Sequence, residues 1–242
     1  MTHNAVRPVV GVGLTGLAVG AVLAHNANGH GPLKLLPPLV LLLVGVLVSP
    51  ASLTAERLGC RRALTTCLLV ATGAEVAGAA WPVVDTVCAF VVGVAVALVQ
   101  PLTLLAVRQW CAAHSLLAAG VGMAGFALGA LSPLPIGVCC VLPALWWLGL
   151  GPRDLGRIRS YRRVPPLPFG RRDVWWMAVL FGAAMLLLDG SVVVAAVAAC
   201  VLLPRVLLLP LRAARAGSDV VPLASLMFGL GHLGNGLVHQ LV

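Results

Sequence analysis

Long apolar runs separated by short polar breaks recur along the chain of 242 residues. Most of these runs approach the length of about 20 residues that a helix needs to cross the hydrocarbon core of a bilayer. They lack the regular alternation of apolar and polar residues that is typical of strands in membrane barrels. The pattern therefore predicts an all-α fold, a polytopic transmembrane helical bundle.

The composition favours the same class. Hydrophobic residues make up 60% of the chain and charged residues 10%, whereas soluble domains average about 45–50% and about 25%. The net charge of +9 raises the question of nucleic-acid binding. No segment is long and polar enough to form a soluble domain for such a site, so we expect the basic residues to contact anionic membrane lipids.

The distribution of the arginines predicts how the bundle is oriented. If the N-terminus is cytoplasmic, all fifteen arginines fall at inner-face breaks or helix ends, and Lys34 is the single basic residue in an outer break. Such an excess of basic residues on the cytoplasmic side is typical of membrane proteins. We therefore expect an integral, multi-pass protein of the inner membrane with a cytoplasmic N-terminus.

The apolar runs predict about nine helices in two blocks. A block of six helices spans residues 1–150, a basic, proline-rich cytoplasmic linker spans 151–173, and a partial second block of about three helices spans 174–242. Prolines in the linker oppose a continuous helix. The nine predicted helices lie near 8–25, 35–55, 63–81, 84–107, 115–131, 134–150, 174–188, 191–211 and 220–241.

A charged loop between the second and third predicted helices carries a recognisable motif. Residues 53–64 read LTAERLGCRRAL, an acidic residue followed by arginine, glycine and two further arginines. The loop resembles the signature loop of the major facilitator superfamily, with Glu56 where aspartate is usual. Glycine in it suits a tight turn, and the charges lie at the ends of two helices.

A second stretch supports that resemblance. Residues 100–110 read QPLTLLAVRQW at the end of the fourth predicted helix, and with residues 35–50 they resemble the cyanate and nitroimidazole transporter branch of the superfamily. The resemblance implies a six-helix half that moves a small-molecule solute by alternating access. It also implies a set of residues for transport and gating: Glu56, Arg57, Gly59, Arg61, Arg62 and Arg108.

The chain departs from that superfamily in two ways. A full member has two six-helix halves, so the second half is about three helices short. The first helix carries no charge, whereas the transporter branch has an arginine there. Two interpretations stay open: a divergent or truncated secondary transporter, and a non-transporting accessory or scaffold subunit. A homodimer or a partner chain would supply the missing helices.

Glu75 is the single acidic residue well inside an apolar run. Ionisable groups at that depth are costly and usually face a cavity. A carboxyl group in such a place is suited to binding and releasing a proton, as proton coupling requires. We therefore predict that Glu75 is the candidate proton site of the transporter.

His232 and His239 raise a weaker alternative, a haem or quinone membrane subunit. Seven residues apart on one predicted helix, they are separated by about 10 Å along the axis and do not share one metal. The seven cysteines lack a CxxC pair, and we interpret them as packing residues. No catalytic motif is present, so we predict no metal, no cofactor and no enzymatic activity.

Small and aromatic residues predict helix packing and membrane depth. Gly16 and Gly20 in the first helix, and Gly125 and Gly129 in the fifth, have the spacing that allows close helix approach. All six tryptophans fall at predicted helix ends, which is typical of interfacial aromatic residues. They are Trp81, Trp110, Trp146, Trp147, Trp175 and Trp176.

Overall fold

The computed structural model describes residues 3–27, 58–153, 168–189, 191–214 and 220–241. All regular secondary structure in these ranges is helical. The predicted helix at 35–55, Glu56, Arg57 and linker residues 154–167 lie outside the described residues. The all-α prediction is confirmed for the part of the chain that is described.

The described helices follow the predicted ones closely, except in the eighth. Three-residue 3₁₀ turns precede α3 and α4 and follow α6, and a π-helical turn, Ala198–Leu202, lies between α7 and α8. In chain order the α-helices are α1 His3–Ala27, α2 Cys60–Ala80, α3 Asp85–Trp110, α4 Ser115–Ala130, α5 Ile136–Gly149, α6 Arg172–Leu186, α7 Val192–Val197, α8 Leu203–Leu207, α9 Leu209–Ala213 and α10 Val220–Leu241.

Five segments of the described chain are long and apolar enough to cross a membrane. They are Val6–Ala24, Cys60–Ala80, Asp85–Trp110, Ala112–Ala130 and Val193–Ala213. Two further apolar helical stretches are shorter, Ile136–Gly149 and Val220–Gly234. These segments indicate a multi-pass membrane protein.

The outward faces of these helices are apolar. Exposed side chains along them include Leu69, Val76, Val87, Leu128 and Val193. Rows of large apolar side chains facing outward are costly in water, because contiguous exposed apolar surface drives association or membrane insertion. The outer surface of these helices is therefore suited to contact with the lipid tails of a membrane.

Helices α1 and α4 make the closest contact in the fold. A Cβ at Gly16 would overlap the carbonyl oxygen of Gly122, and one at Gly129 would overlap that of Leu17. Gly20 and Gly125 face the opposite backbone in the same way. The packing role predicted for these glycines is confirmed, and the two glycine pairs face one another.

The eighth predicted helix, near 191–211, is present as the apolar helical segment Val193–Ala213, but this segment is irregular. The chain runs from α7 through the π-helical turn into α8. The helix is interrupted at Leu208, and α9 begins at the next residue. Pro204 and Pro210 each stand near the start of a new helical segment. Proline has no N–H to donate to the preceding turn, and its ring clashes with the backbone of that turn. A helix therefore breaks or widens at a proline.

Two apolar cores fill the bundle, and α3 contributes to both. One core joins α1, α2, α3, α4 and α5 and also includes Leu208 and Val221 of the second block. The other joins α6, α8 and α10 to Ala97 and Leu104 of α3 and to Met123 of α4. The two helix blocks therefore meet along α3 and α4.

Candidate functional site

A cavity of about 90 Å³ lies where the two blocks meet. Three helices of the first block form one wall, and α6, α8 and α10 form the other. The lining residues are Val12, Thr15, Gly16, Val19, Leu23, Gln100, Thr103, Leu104, Val107, Ala119, Gly122, Met123, Phe126, Phe181, Met185, Leu207, Phe228 and His232.

The wall is mainly apolar and has four polar side chains, Thr15, Gln100, Thr103 and His232. Among the described residues that line the cavity, none is an aspartate, glutamate, lysine or arginine. Apolar pockets with a few well-placed polar groups are typical of small-molecule sites. The arrangement therefore offers shape and hydrogen bonds to a ligand, without a fixed opposite charge.

The two threonine hydroxyls already have partners. The Thr15 hydroxyl donates to the carbonyl oxygen of Gly11 at 2.7 Å and accepts from the Trp147 indole N–H at 2.9 Å. The Thr103 hydroxyl donates to the carbonyl oxygen of Val99 at 2.7 Å. Both hydroxyls therefore already form hydrogen bonds inside the protein. Thr103 bonds within its own helix, and Thr15 bonds within its own helix and to Trp147 of α5.

Gln100 and His232 differ from the threonines because each keeps a polar atom unused. Gln100 is 8% exposed and His232 is 7% exposed. Within the described part of the protein, Gln100 Oε1 and His232 Nε2 have no hydrogen-bond partner. A buried polar atom left without a partner costs about 1–3 kcal/mol, so two such atoms in one cavity indicate a place for a ligand or for water.

Local sequence explains how these two side chains reach the cavity. Gln100 precedes Pro101 inside α3, and the proline supplies no N–H to the preceding turn. On α10, His232 packs edge-on against Phe181 of α6, with ring centroids 5.1 Å apart. The neighbouring Gly231 allows α6 and α10 to approach, because a Cβ there would lie 2.5 Å from Phe181 Cδ1.

The predicted gating residues that are described lie at one end of the bundle, away from the cavity lining. Gly59 caps the start of α2 with φ 80°, a conformation that favours glycine. Arg62 is exposed on α2. Arg108 lies in the last turn of α3, and its buried Nη1 has no partner in the described ranges.

Arg61 binds the end of another helix. Its Nε donates to the carbonyl oxygen of Trp147 at 2.6 Å, and its Nη2 donates to the carbonyl oxygen of Leu148. These carbonyls belong to the last turn of α5, where the helix dipole favours a cation. Arg61 therefore ties the start of α2 to the end of α5.

Glu75 does not line the cavity. It lies half-buried on α2, and its Cγ would be 3.8 Å from a Cβ at Gly137 of α5. The structure thus places Glu75 between α2 and α5, inside the first block. Its role as a proton site stays a prediction.

Trp147 corrects the interpretation of all six tryptophans as interfacial residues. Trp81, Trp175 and Trp176 are exposed at helix ends, as predicted, but Trp147 is fully buried. Its ring lies 5.5 Å from that of Trp110, and a Cβ at Gly11 would lie 2.7 Å from its Cζ2. The reason is that Gly11 leaves room on α1 for a large ring in the core.

The cysteines fit the packing interpretation in part. Five are buried, Cys88 is half-buried and Cys200 is exposed in the π-helical turn. All seven are free thiols. In the part of the chain that the structure describes, no three histidine, cysteine, aspartate or glutamate side chains lie together in a way that could hold a metal ion.

Sequence reasoning missed that Gln100 and His232 line the same cavity. Gln100 lies in the stretch 100–110 that supports the family resemblance. From sequence, His232 suggests only a possible haem ligand. The available signal was a polar residue near the middle of an apolar helix, which at membrane depth indicates a functional position. That signal does not reveal which helices face each other.

Comparisons with known proteins give this chain no relatives: no family model, curated protein or solved structure matches it.

Proposed function

We propose that this protein is a divergent, transporter-like membrane protein that moves a small solute by alternating access through the cavity between its two helix blocks. The observation that carries the proposal is the cavity itself, which Gln100 and His232 line, each with one buried polar atom that has no hydrogen-bond partner among the described residues. In secondary transporters, solute sites lie near the bilayer midplane at the interface of two repeats. Here the polar residues stand near the middle of α3 and α10.

Tight packing inside the first block supports this proposal. The glycine contacts between α1 and α4 and the Arg61 bonds between α2 and α5 hold that block together. Alternating access requires blocks that move as units around a site at their interface. A cavity at the interface can open to either side without disrupting the contacts within the block.

The finer features of the proposal rest on sequence. The arginine distribution supports an inner-membrane protein with a cytoplasmic N-terminus. The loop at residues 53–64 supports a resemblance to the major facilitator superfamily, with Arg61, Arg62 and Arg108 acting at the gate. Glu75 is the proposed proton site, acting from within the first block.

Cysteine accessibility tests alternating access without knowledge of the solute. None of the seven native cysteines lines the cavity, so a Thr103→Cys variant adds a thiol there. We expect a small, hydrophilic, membrane-impermeant maleimide to label this thiol in membrane vesicles of both orientations. Two-sided labelling follows if the cavity opens in turn to each side.

Leu128→Cys provides the matched control. Leu128 is 64% exposed on the outer surface of α4, where lipid would exclude the reagent, so neither orientation should label it above the unsubstituted chain. If Thr103→Cys were labelled from one side or from neither, the protein would be static on this pathway. The accessory-subunit interpretation would then replace transport.

A further inference from the structure

We propose that the cavity selects a small, uncharged solute with an N–H or O–H donor, and that Gln100 and His232 recognise it. This inference rests on the proposed function, because it takes the cavity as the solute site. It adds the chemical class of the solute and the two side chains that select it.

Charge is the first constraint on the solute. The lining residues that the structure describes provide apolar side chains, two threonine hydroxyls that already have partners, one amide and one imidazole. An ion moved into such a site loses its hydration without gaining a fixed opposite charge. A charged solute should therefore bind much more weakly than an uncharged one of the same shape.

Size is the second constraint. A dry protein cavity of about 150 Å³ accommodates benzene, which has six carbons. A cavity of about 90 Å³ would by proportion hold a solute of about four non-hydrogen atoms. Acetamide has this size, and it carries both an N–H donor and a carbonyl acceptor.

Hydrogen bonding is the third constraint. Gln100 Oε1 is an acceptor, so it needs a donor from the solute. His232 Nε2 either donates or accepts, according to the tautomer. An acyl chain from a lipid could fill the apolar wall but would leave both atoms without partners. A solute that forms hydrogen bonds to both atoms removes the free-energy cost of leaving each of them buried without a partner.

Three probes of one shape separate these constraints. Acetamide, acetate and acetamidinium differ in charge, and all have four non-hydrogen atoms in the same arrangement. We would measure their dissociation constants for the full chain in lipid nanodiscs by saturation-transfer NMR at neutral pH. We expect saturable acetamide binding, with acetate and acetamidinium at least tenfold weaker.

Near-isosteric variants test the recognition residues. Gln100→Met and His232→Leu remove one polar group each, and each should weaken acetamide binding about tenfold. Ser225→Ala is the matched control: Ser225 is a buried, unpartnered polar residue on α10 that does not line the cavity. Its binding should be unchanged. Helical circular dichroism confirms that each variant is folded.

Several outcomes would overturn this inference. They are acetate or acetamidinium binding as tightly as acetamide, no saturable acetamide binding, or equal effects of Ser225→Ala and His232→Leu. If Thr103→Cys is labelled from both sides but acetamide does not bind, the transport proposal is retained and the proposed solute class is rejected. If acetamide binds through Gln100 and His232 but labelling is one-sided, the site stands and transport falls.

Discussion

Arg61 shows how one residue of a sequence motif acquires a structural role. The motif predicted a gate element, and the structure gives Arg61 two bonds to carbonyl oxygens in the last turn of α5. Those carbonyls have no partner within their own helix. The residue therefore holds two helices of the first block together, and a role in gating would act through that contact.

Arg61→Ala should destabilise the protein. Loss of charged hydrogen bonds at a helix C-terminus costs about 1–3 kcal/mol. We expect a clearly lower apparent melting temperature in detergent, measured by intrinsic tryptophan fluorescence. Arg62→Ala is the control, since Arg62 is the exposed neighbour on α2. Equal effects of the two substitutions would mean that the α5 contact contributes nothing.

Asp173 gives the stability a dependence on pH. Two hydrogen bonds from Arg171 hold the pKa of Asp173, at the start of α6, below the ordinary value of 3.8. Because the folded pKa is lowered, the stabilisation is complete above about pH 4. It is lost as the pH falls through the lowered pKa. Arg171 also donates to the carbonyl oxygen of Ala213 at 3.1 Å.

Asp173→Asn should therefore flatten the acid limb of the stability profile. We expect the variant and the parent to converge at pH values below the lowered pKa of Asp173 and to differ most near neutral pH. The difference should be small and reduced by added salt, since the pair is partly exposed. Melting temperatures at several pH values measure this. A difference that grows towards low pH would contradict the assignment.

At the scale of elements, the contact between α1 and α4 depends on the absence of side chains. A Cβ at Gly20 would overlap the carbonyl oxygen of Phe126. Gly20→Val should therefore push the helices apart and destabilise the protein by about 1–3 kcal/mol or more. The measurement is the apparent melting temperature of the purified variant together with its yield from membranes.

Gly120→Ala is the control for the α1–α4 contact. Gly120 lies on α4, and a Cβ there would have no atom within 4 Å. Alanine is favoured over glycine within a helix by about 1 kcal/mol, so this substitution should be neutral or stabilising. Comparable losses from both substitutions would show that general helix sensitivity, and not backbone contact, explains the result.

At the scale of the whole molecule, α3 is shared by both cores. Ala97 and Leu104 face the second block, while Val96, Val99 and Leu102 pack in the first. Gln100 lies in the same stretch of helix and faces the cavity. The position of the cavity thus follows from α3, a long helix with side chains in both cores. A transporter-like motion would have to occur along the face of α3 that contacts the second block.

The sequence by itself determined the class of protein and the course of most helices. Long apolar runs, proline and glycine breaks, and small-residue spacing act locally, so they predicted α1 to α6 and α10 and the glycine packing surfaces. Local reasoning located the eighth helix but did not reveal the π-helical turn and the two proline-led segments inside that apolar run.

Only the tertiary structure decided which residues meet. Gln100 and His232 are more than a hundred positions apart, and their place in one cavity depends on how α3, α6 and α10 pack. The burial of Trp147 depends likewise on the space that Gly11 leaves on another helix. Apolar composition drives helices into a membrane in any arrangement, whereas the particular arrangement is set by long-range steric fit, which no single run of residues contains.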